Sequence, residues 1–138
     1  MRRTEDYDAM VKLGKESGLE IERLGVVTVG WGLYQGERMV GCACLMEKNG
    51  VYVLECLAVV GNLRGKGLGT RLVRKIEAEA RKRGAAKLVA LARSPEFFKK
   101  AGYRVARPEE IDYPTISSCS ACPQFEKSCF PAVVVIDL

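Results

Sequence analysis

The sequence predicts an α/β (α+β) domain on a mixed central sheet of about six strands, an antiparallel meander then a strand–helix–strand parallel crossover, with helices on both faces. Three observations predict it. Apolar runs at residues 26–34, 39–46 and 51–60 are separated by Gln35-Gly36-Glu37-Arg38 and Glu47-Lys48-Asn49-Gly50, and Asn-Gly is the strongest short hairpin signal. Leu68, Leu72, Ile76 and Ala80 then form an i+4 stripe with charges elsewhere, closed by Gly84. The buried-looking run at residues 87–93 follows that helix, so it lies parallel to the strand preceding it.

In chain order, Tyr7, Met10, Val11 and Leu13 recur at helical spacing over residues 6–17, and Gly18 ends the run. Residues 19–24 read as a second short helical piece before Gly25. The run at 51–60 is apolar on both alternating faces, as in a central strand covered on two sides, and Glu55 is its single charge. After the crossover, Ser94 reads as an N-cap and Pro95 as the first residue of a short helix at 96–101 that Gly102 terminates. Residues 103–106 and 131–138 read as the remaining strands. Between them, residues 107–131 are rich in Pro, Ser and Cys and are expected to be a long loop inside one domain spanning 1–138.

A chain of 138 residues, 48% hydrophobic, suits a single domain with a real core. No apolar run reaches the roughly 18 residues needed to span a bilayer, and the first residues carry no apolar signal-peptide core. A soluble cytoplasmic protein without membrane partners is expected. The net charge of +5 is uneven: residues 64–104 hold 13 Lys or Arg against Glu77, Glu79 and Glu96. That excess suits solvated helix faces or a polyanionic small ligand. Nucleic acid is not expected, because the aromatic interleaving and groove-reading motifs are missing. There is no histidine. This removes Ser-His and Cys-His nucleophiles and His-ligated metals, and leaves acid–base work to Glu, Asp, Tyr, Cys or Lys.

The positive excess surrounds Arg64-Gly65-Lys66-Gly67-Leu68-Gly69-Thr70, a glycine-dense turn between the central strand and the amphipathic helix. Glycines in alternation let backbone amides converge, and the helix adds unpaired N–H groups and the positive end of its dipole. A phosphate or diphosphate is the natural guest.

Leu57-Ala58-Val59, four residues, then Arg64-x-x-Gly67-x-Gly69 resembles the acetyl-CoA signature of the GNAT superfamily of N-acetyltransferases. Glu96-Phe97-Phe98-Lys99-Lys100-Ala101-Gly102-Tyr103 is similar to that family's second stretch, of the form F-Y-x-x-x-G-F. The resemblance covers about residues 5–106. It implies the GNAT fold, in which the central strand splays from its parallel neighbour and the pantetheine arm of acetyl-CoA pairs with backbone at Leu57, Ala58 and Val59. It further implies that the amides of Gly65 to Thr70, through Lys66, Gly67, Leu68 and Gly69, hold the diphosphate with charge from Arg64 and Lys66, and that Phe98 belongs to the cofactor site.

The implied reaction is direct transfer of acetyl to a primary amine, with no covalent enzyme intermediate. It needs a base, an oxyanion donor and a proton for the departing thiolate. Glu55 is the candidate base: on regular alternation it shares the face of Val51, Val53, Leu57 and Val59, where burial would raise its pKa. The alternative is a Glu at a wet sheet end or paired with an Arg. Backbone N–H near Val59 is the implied oxyanion donor. Phe98 stands where the family often has the tyrosine that protonates the thiolate, so Tyr103, Tyr113, Cys56 or water are the substitutes. Two further departures are a strand-to-helix link at Arg93-Ser94-Pro95 that is short and lacks the usual Asn, and a family first strand that is almost absent.

Cys119-x-x-Cys122-x6-Cys129 has the bite for zinc but only three local ligands, so Cys42, Cys44, Cys56 or a carboxylate would have to complete it. A disulfide or free packed thiols are the alternatives. This tail, with the leading helix and Leu19, also resembles, more loosely, small amino-acid N-acetyltransferases of the N-acetylglutamate synthase type. That implies an α-amino acid acceptor whose carboxylate is held by Arg23 or Arg38. Rival readings are a protein N-terminal or lysine acetyltransferase, and a non-catalytic CoA-binding or thiol- or metal-sensing module. A homodimer is left open.

Overall fold

A computed structural model of the protein describes residues 1–17, 26–63, 65–92, 95–107 and 132–138. The element order is β1 (Arg2–Thr4), α1 (Tyr7–Glu16), β2 (Val29–Gln35), β3 (Arg38–Lys48), β4 (Val51–Val59), a 3-10 turn at Gly61–Leu63, α2 (Leu68–Lys82), β5 (Lys87–Ala92), α3 (Pro95–Lys100), β6 (Arg104–Val105) and β7 (Ala132–Asp137). The strands form one sheet in the order β1-β2-β3-β4-β5-β7-β6. Of these pairings only β4 with β5 is parallel. The meander and the crossover are therefore as expected.

Among the described residues the sheet has seven strands where about six were expected, because β1 is present. Three polar residues suffice for it because Gly30 and Gly32 on β2 clear the space. A Cβ on Gly30 would lie 2.7 Å from Met10 Cε and 2.9 Å from the Thr4 carbonyl oxygen. β1 is then pinned by side chains. Arg3 donates to both Glu79 carboxylate oxygens at 2.7 Å, Tyr34 donates its hydroxyl to Thr4 Oγ1 at 2.8 Å, and Arg2 stacks 4.1 Å over the Tyr34 ring.

The two faces have separate cores. α2 buries Leu72, Val73, Ile76 and Ala80 against Ala43, Leu45, Leu54 and Val59, and α3 adds Phe98 to the same cluster. On the other face α1, capped by the Asp6 carboxylate accepting from Ala9 N, sets Met10 and Leu13 against Cys42, Cys44, Met46, Cys56 and Ala58. The β3–β4 turn is the Asn-Gly type: Asn49 and Gly50 both have positive φ, 51° and 82°.

β4 changes face along its length. Cys44 pairs with Glu55 and Cys42 with Ala58, so Ala43 alone faces both Cys56 and Leu57. This is a β-bulge, with Cys56 at φ 55°. Before it, Val51 and Val53 pack on one side. After it, Leu57 and Val59 pack with the α2 cluster and Ala58 with the α1 cluster. Glu55 therefore does not share a face with Leu57 and Val59, contrary to regular alternation.

Candidate active site

The bulge parts β4 from β5. Their parallel ladder is Val53↔Val89 and Leu54↔Ala90, whereas β5 pairs with β7 along its whole length, Lys87 to Ala92. Beyond Leu54 the two strands diverge. A cavity of about 500 Å³ opens beside Leu57, Ala58 and Val59. The splay expected of the central strand is thus present, at the expected residues.

The second wall is the glycine turn. Gly65, Gly67, Leu68, Gly69 and Thr70 line the cavity. Gly67 is the residue before α2, in the left-handed region at φ 76°, and no side chain caps the helix there. With no capping side chain, the first-turn amides of a 15-residue helix and the positive end of its dipole face whatever anion enters. Gly65 has φ 80°, so both turn glycines meet a backbone requirement. Gly69 serves a different purpose: a Cβ there would come within 3.3 Å of the Phe97 ring.

Lys66 stands between two lining glycines with its side chain exposed, and it is outside the cavity wall. Arg64 lies outside the described residues, as do Arg23, Tyr113, Cys119, Cys122 and Cys129. The zinc expectation rests on those three cysteines. Among the described residues no group of three or more His, Cys, Asp and Glu is arranged to hold a metal ion. Cys42, Cys44 and Cys56, offered as a completing ligand, are buried free thiols. Arg38 opens β3 at the β2–β3 turn, exposed.

Of the second motif's two rings, Phe97 and not Phe98 stands in the cavity wall. Phe97 lines the cavity, while Phe98 is turned into the core, edge-on to Phe97 at 5.1 Å and to Tyr103 at 5.2 Å. Neither ring carries a hydroxyl. Tyr103 is likewise removed as a proton donor: it is buried, donates to Glu77 Oε2 at 2.8 Å, and does not line the cavity. Burial and the Glu77 charge push its phenol well above the usual value. Cys56 packs under α1, on the face opposite Leu57.

Glu55 is about a quarter exposed and ion-paired with Lys48 at 2.5 Å. It does not line the cavity but stands two residues before it on β4, on the α1 side of the sheet. It is thus paired and partly open to solvent, not in the apolar enclosure expected. Ser17, which caps the C-terminal end of α1, does line the cavity, so its α1-side mouth is formed by Ser17 and Ala58.

Two acids missed by the sequence reading lie inside. Glu77 and Glu79 are each 1% exposed on α2. Glu77 accepts from Arg74 at 2.8 and 2.9 Å as well as from Tyr103, and Arg74 also donates to the Ala101 carbonyl at 2.8 Å. Glu79 accepts from Arg3 and from Trp31 Nε1 at 3.0 Å, with Arg83 and Lys82 at 3.5 and 3.7 Å. Burial by itself would raise the Glu79 carboxyl. The hydrogen bonds from Arg3 and Trp31 and the nearby positive charges outweigh it, bringing it to about 2. Part of the basic excess thus neutralises these two carboxylates and is not available to a ligand. The signal was legible: Glu77 follows Val73 by four and Glu79 follows Leu72 by seven, both on the apolar stripe.

The sequence profile of the acetyltransferase (GNAT) family matches residues 6–103. An uncharacterised N-acetyltransferase of Chlorobaculum tepidum is 30% identical over 91 residues, 66% of this chain and 59% of that protein. The chain thus spans about three fifths of that curated relative. The N-acetylglutamate synthase of Neisseria gonorrhoeae, solved with coenzyme A and N-acetyl-glutamate, superposes with TM-score 0.77 at 22% identity, covering 98% of this chain and 33% of that one. A Mycobacterium tuberculosis protein solved in complex with CoA gives TM-score 0.72 at 19% identity, covering 99% and 96%. At such identities the likeness is one of fold.

Proposed function

This chain belongs to the acetyltransferase (GNAT) family, and on that premise we propose that it transfers acetyl from acetyl-CoA directly to the primary amine of a small acceptor, an amino acid. The observation that carries this reading is the cavity between the diverging β4 and β5, walled by Leu57, Ala58 and Val59 on one side and by the glycine turn and α2 on the other. An apolar slot ending at an uncapped helix N-terminus matches the two halves of the cosubstrate, an extended pantetheine arm and a diphosphate. The amides of Gly65 to Thr70 hold the diphosphate, Lys66 adds charge at the rim, and Phe97 packs against the arm in place of Phe98.

The acceptor enters from the α1 side, between Ser17 and the Glu55 stretch of β4. Glu55 takes the proton of the attacking ammonium, directly or through water. A main-chain N–H near Val59 meets the carbonyl oxygen as it gains charge. With no phenol in the cavity wall among the described residues, water protonates the departing thiolate. Arg23 and Arg38 remain the residues offered to an acceptor carboxylate.

A non-catalytic CoA-binding module is the second reading, favoured by two observations: the hydroxyl-free Phe97 and Phe98, and the Lys48–Glu55 pair. One experiment separates them. Incubation with acetyl-CoA and a panel of amino acids and polyamines, read by free thiol release, should give turnover with at least one amine. Tight binding of acetyl-CoA by calorimetry with no thiol release from any amine would support the module instead, and no binding would remove both.

A further inference from the structure

The α1 face of the sheet holds three thiols that the proposed transfer does not use. Cys42 and Cys44 are 0% exposed and Cys56 is 6% exposed. Cys42 Sγ lies 4.0 Å from Cys56 Sγ. Cys42 Sγ–H also points at the Cys56 carbonyl at 3.2 Å, and Cys56 Sγ–H at the Met10 carbonyl of α1 at 3.4 Å. Cys44 is turned elsewhere, to the Glu55 carbonyl at 3.4 Å.

We propose that Cys42 and Cys56 are a redox-active dithiol that closes to a disulfide on meeting a small-molecule disulfide. The two sulfurs need to approach by about 2 Å to reach bonding distance, and they stand where the β3–β4 ladder is already broken by the bulge between Glu55 and Ala58. The Cys56 thiolate attacks the reagent, forming a mixed disulfide and expelling one thiol. The Cys42 thiolate then displaces the second thiol. The two protons given up by the protein thiols end on the two reagent thiols, so the protein loses two electrons and the reagent gains them. Cys56 is the attacking partner because it is the less enclosed of the two. Its acidity agrees: the hydrogen bond from Cys42 lowers it, while the same contact and burial raise Cys42.

Closure has a structural cost that reaches the cavity. It consumes the S–H that links Cys56 to the Met10 carbonyl, a tie between the sheet and the middle of α1. The same helix ends at Ser17 in the cavity wall. Oxidation therefore loosens one wall of the cavity. The sulfur chemistry stands independently of acetyl transfer, and only the binding readout below rests on the proposed function.

The test uses the full chain with Cys119, Cys122 and Cys129 changed to Ser, treated under native conditions with oxidised glutathione, alkylated, digested and mapped by mass. A Cys42–Cys56 linked peptide pair lacking two hydrogens, with Cys44 alkylated, is expected, and Cys42→Ala should stop at a glutathione adduct on Cys56. Recovery of both thiols in alkylated form, or a link through Cys44, overturns the proposal. Should the Cys42→Ala variant fail to fold, the unsubstituted pair still decides the result. The oxidised protein should bind acetyl-CoA more weakly, and dithiothreitol should restore binding. A formed link with unchanged affinity overturns the coupling to the cavity.

Discussion

Gly69 lies against the edge of the Phe97 ring so closely that a Cβ at this position would meet Cζ at 3.3 Å. One residue of α2 and one of α3 thereby fix the width of the cavity's end. Gly69→Ala gains helix propensity, about 1 kcal/mol, and pushes the ring by a few tenths of an ångström. Overall stability should change by less than about 1 kcal/mol because the two effects oppose. Acetyl-CoA affinity should fall, since Phe97 lines the cavity. Calorimetry of binding beside thermal unfolding checks the split, and a variant that binds normally would show that the ring's place is immaterial.

Tyr103→Phe removes the hydroxyl that Glu77 accepts at 2.8 Å in a buried site. Arg74 remains, so the loss should be about 1–2 kcal/mol of stability. Turnover should stay within about twofold, because Tyr103 is outside the cavity wall. A fall in kcat with normal unfolding would return Tyr103 to the chemistry.

Glu79 carries a pH dependence of known sign. Its carboxyl sits at about 2 when folded against 4.5 ordinarily, so the unfolded chain holds the proton more tightly. Its stabilising effect is complete above the unfolded value and is lost as pH falls from about 4.5 toward 2. Arg3 is 56% exposed, so solvent screening limits the effect to the order of 1–2 kcal/mol. Arg3→Met should lower stability at pH 7 and flatten the acid limb of a denaturation series. An unchanged limb would place the acid sensitivity in other groups.

Glu55→Gln should lower kcat by about 100-fold if the carboxylate takes the ammonium proton, while acetyl-CoA binding stays the same. The partly exposed pair with Lys48 contributes about 1 kcal/mol or less, so folding should be nearly unaffected. Lys48→Met serves as the control. Equal turnover in wild type and Glu55→Gln would remove the residue from the mechanism.

The meander, the crossover and the long helix were legible because each carries a local signature: Asn49-Gly50, the Leu72-Ile76-Ala80 stripe, the glycines before α2. The bulge was not. Its positive-φ residue is Cys56, where glycine or asparagine would have signalled the turn, so Glu55 was assigned the face of Leu57 and Val59. β1 was missed because three polar residues offer no alternation, and what holds them is Glu79, 76 residues away in sequence from Arg3. Phe98 is the ring the resemblance implies, because it stands at the tyrosine of the F-Y-x-x-x-G-F stretch, and α3, at six residues, is too short for periodicity to choose between adjacent rings.

The single additional residue in β4 acts as a reading-frame change written into the backbone. Excising Cys56 would restore strict alternation, with Glu55 and Ala58 on one side and Leu57 and Val59 kept on the other, and would let the strand zip against its parallel neighbour. A one-codon deletion there would be a more complete knockout than any side-chain replacement along the same strand, with the core composition almost untouched.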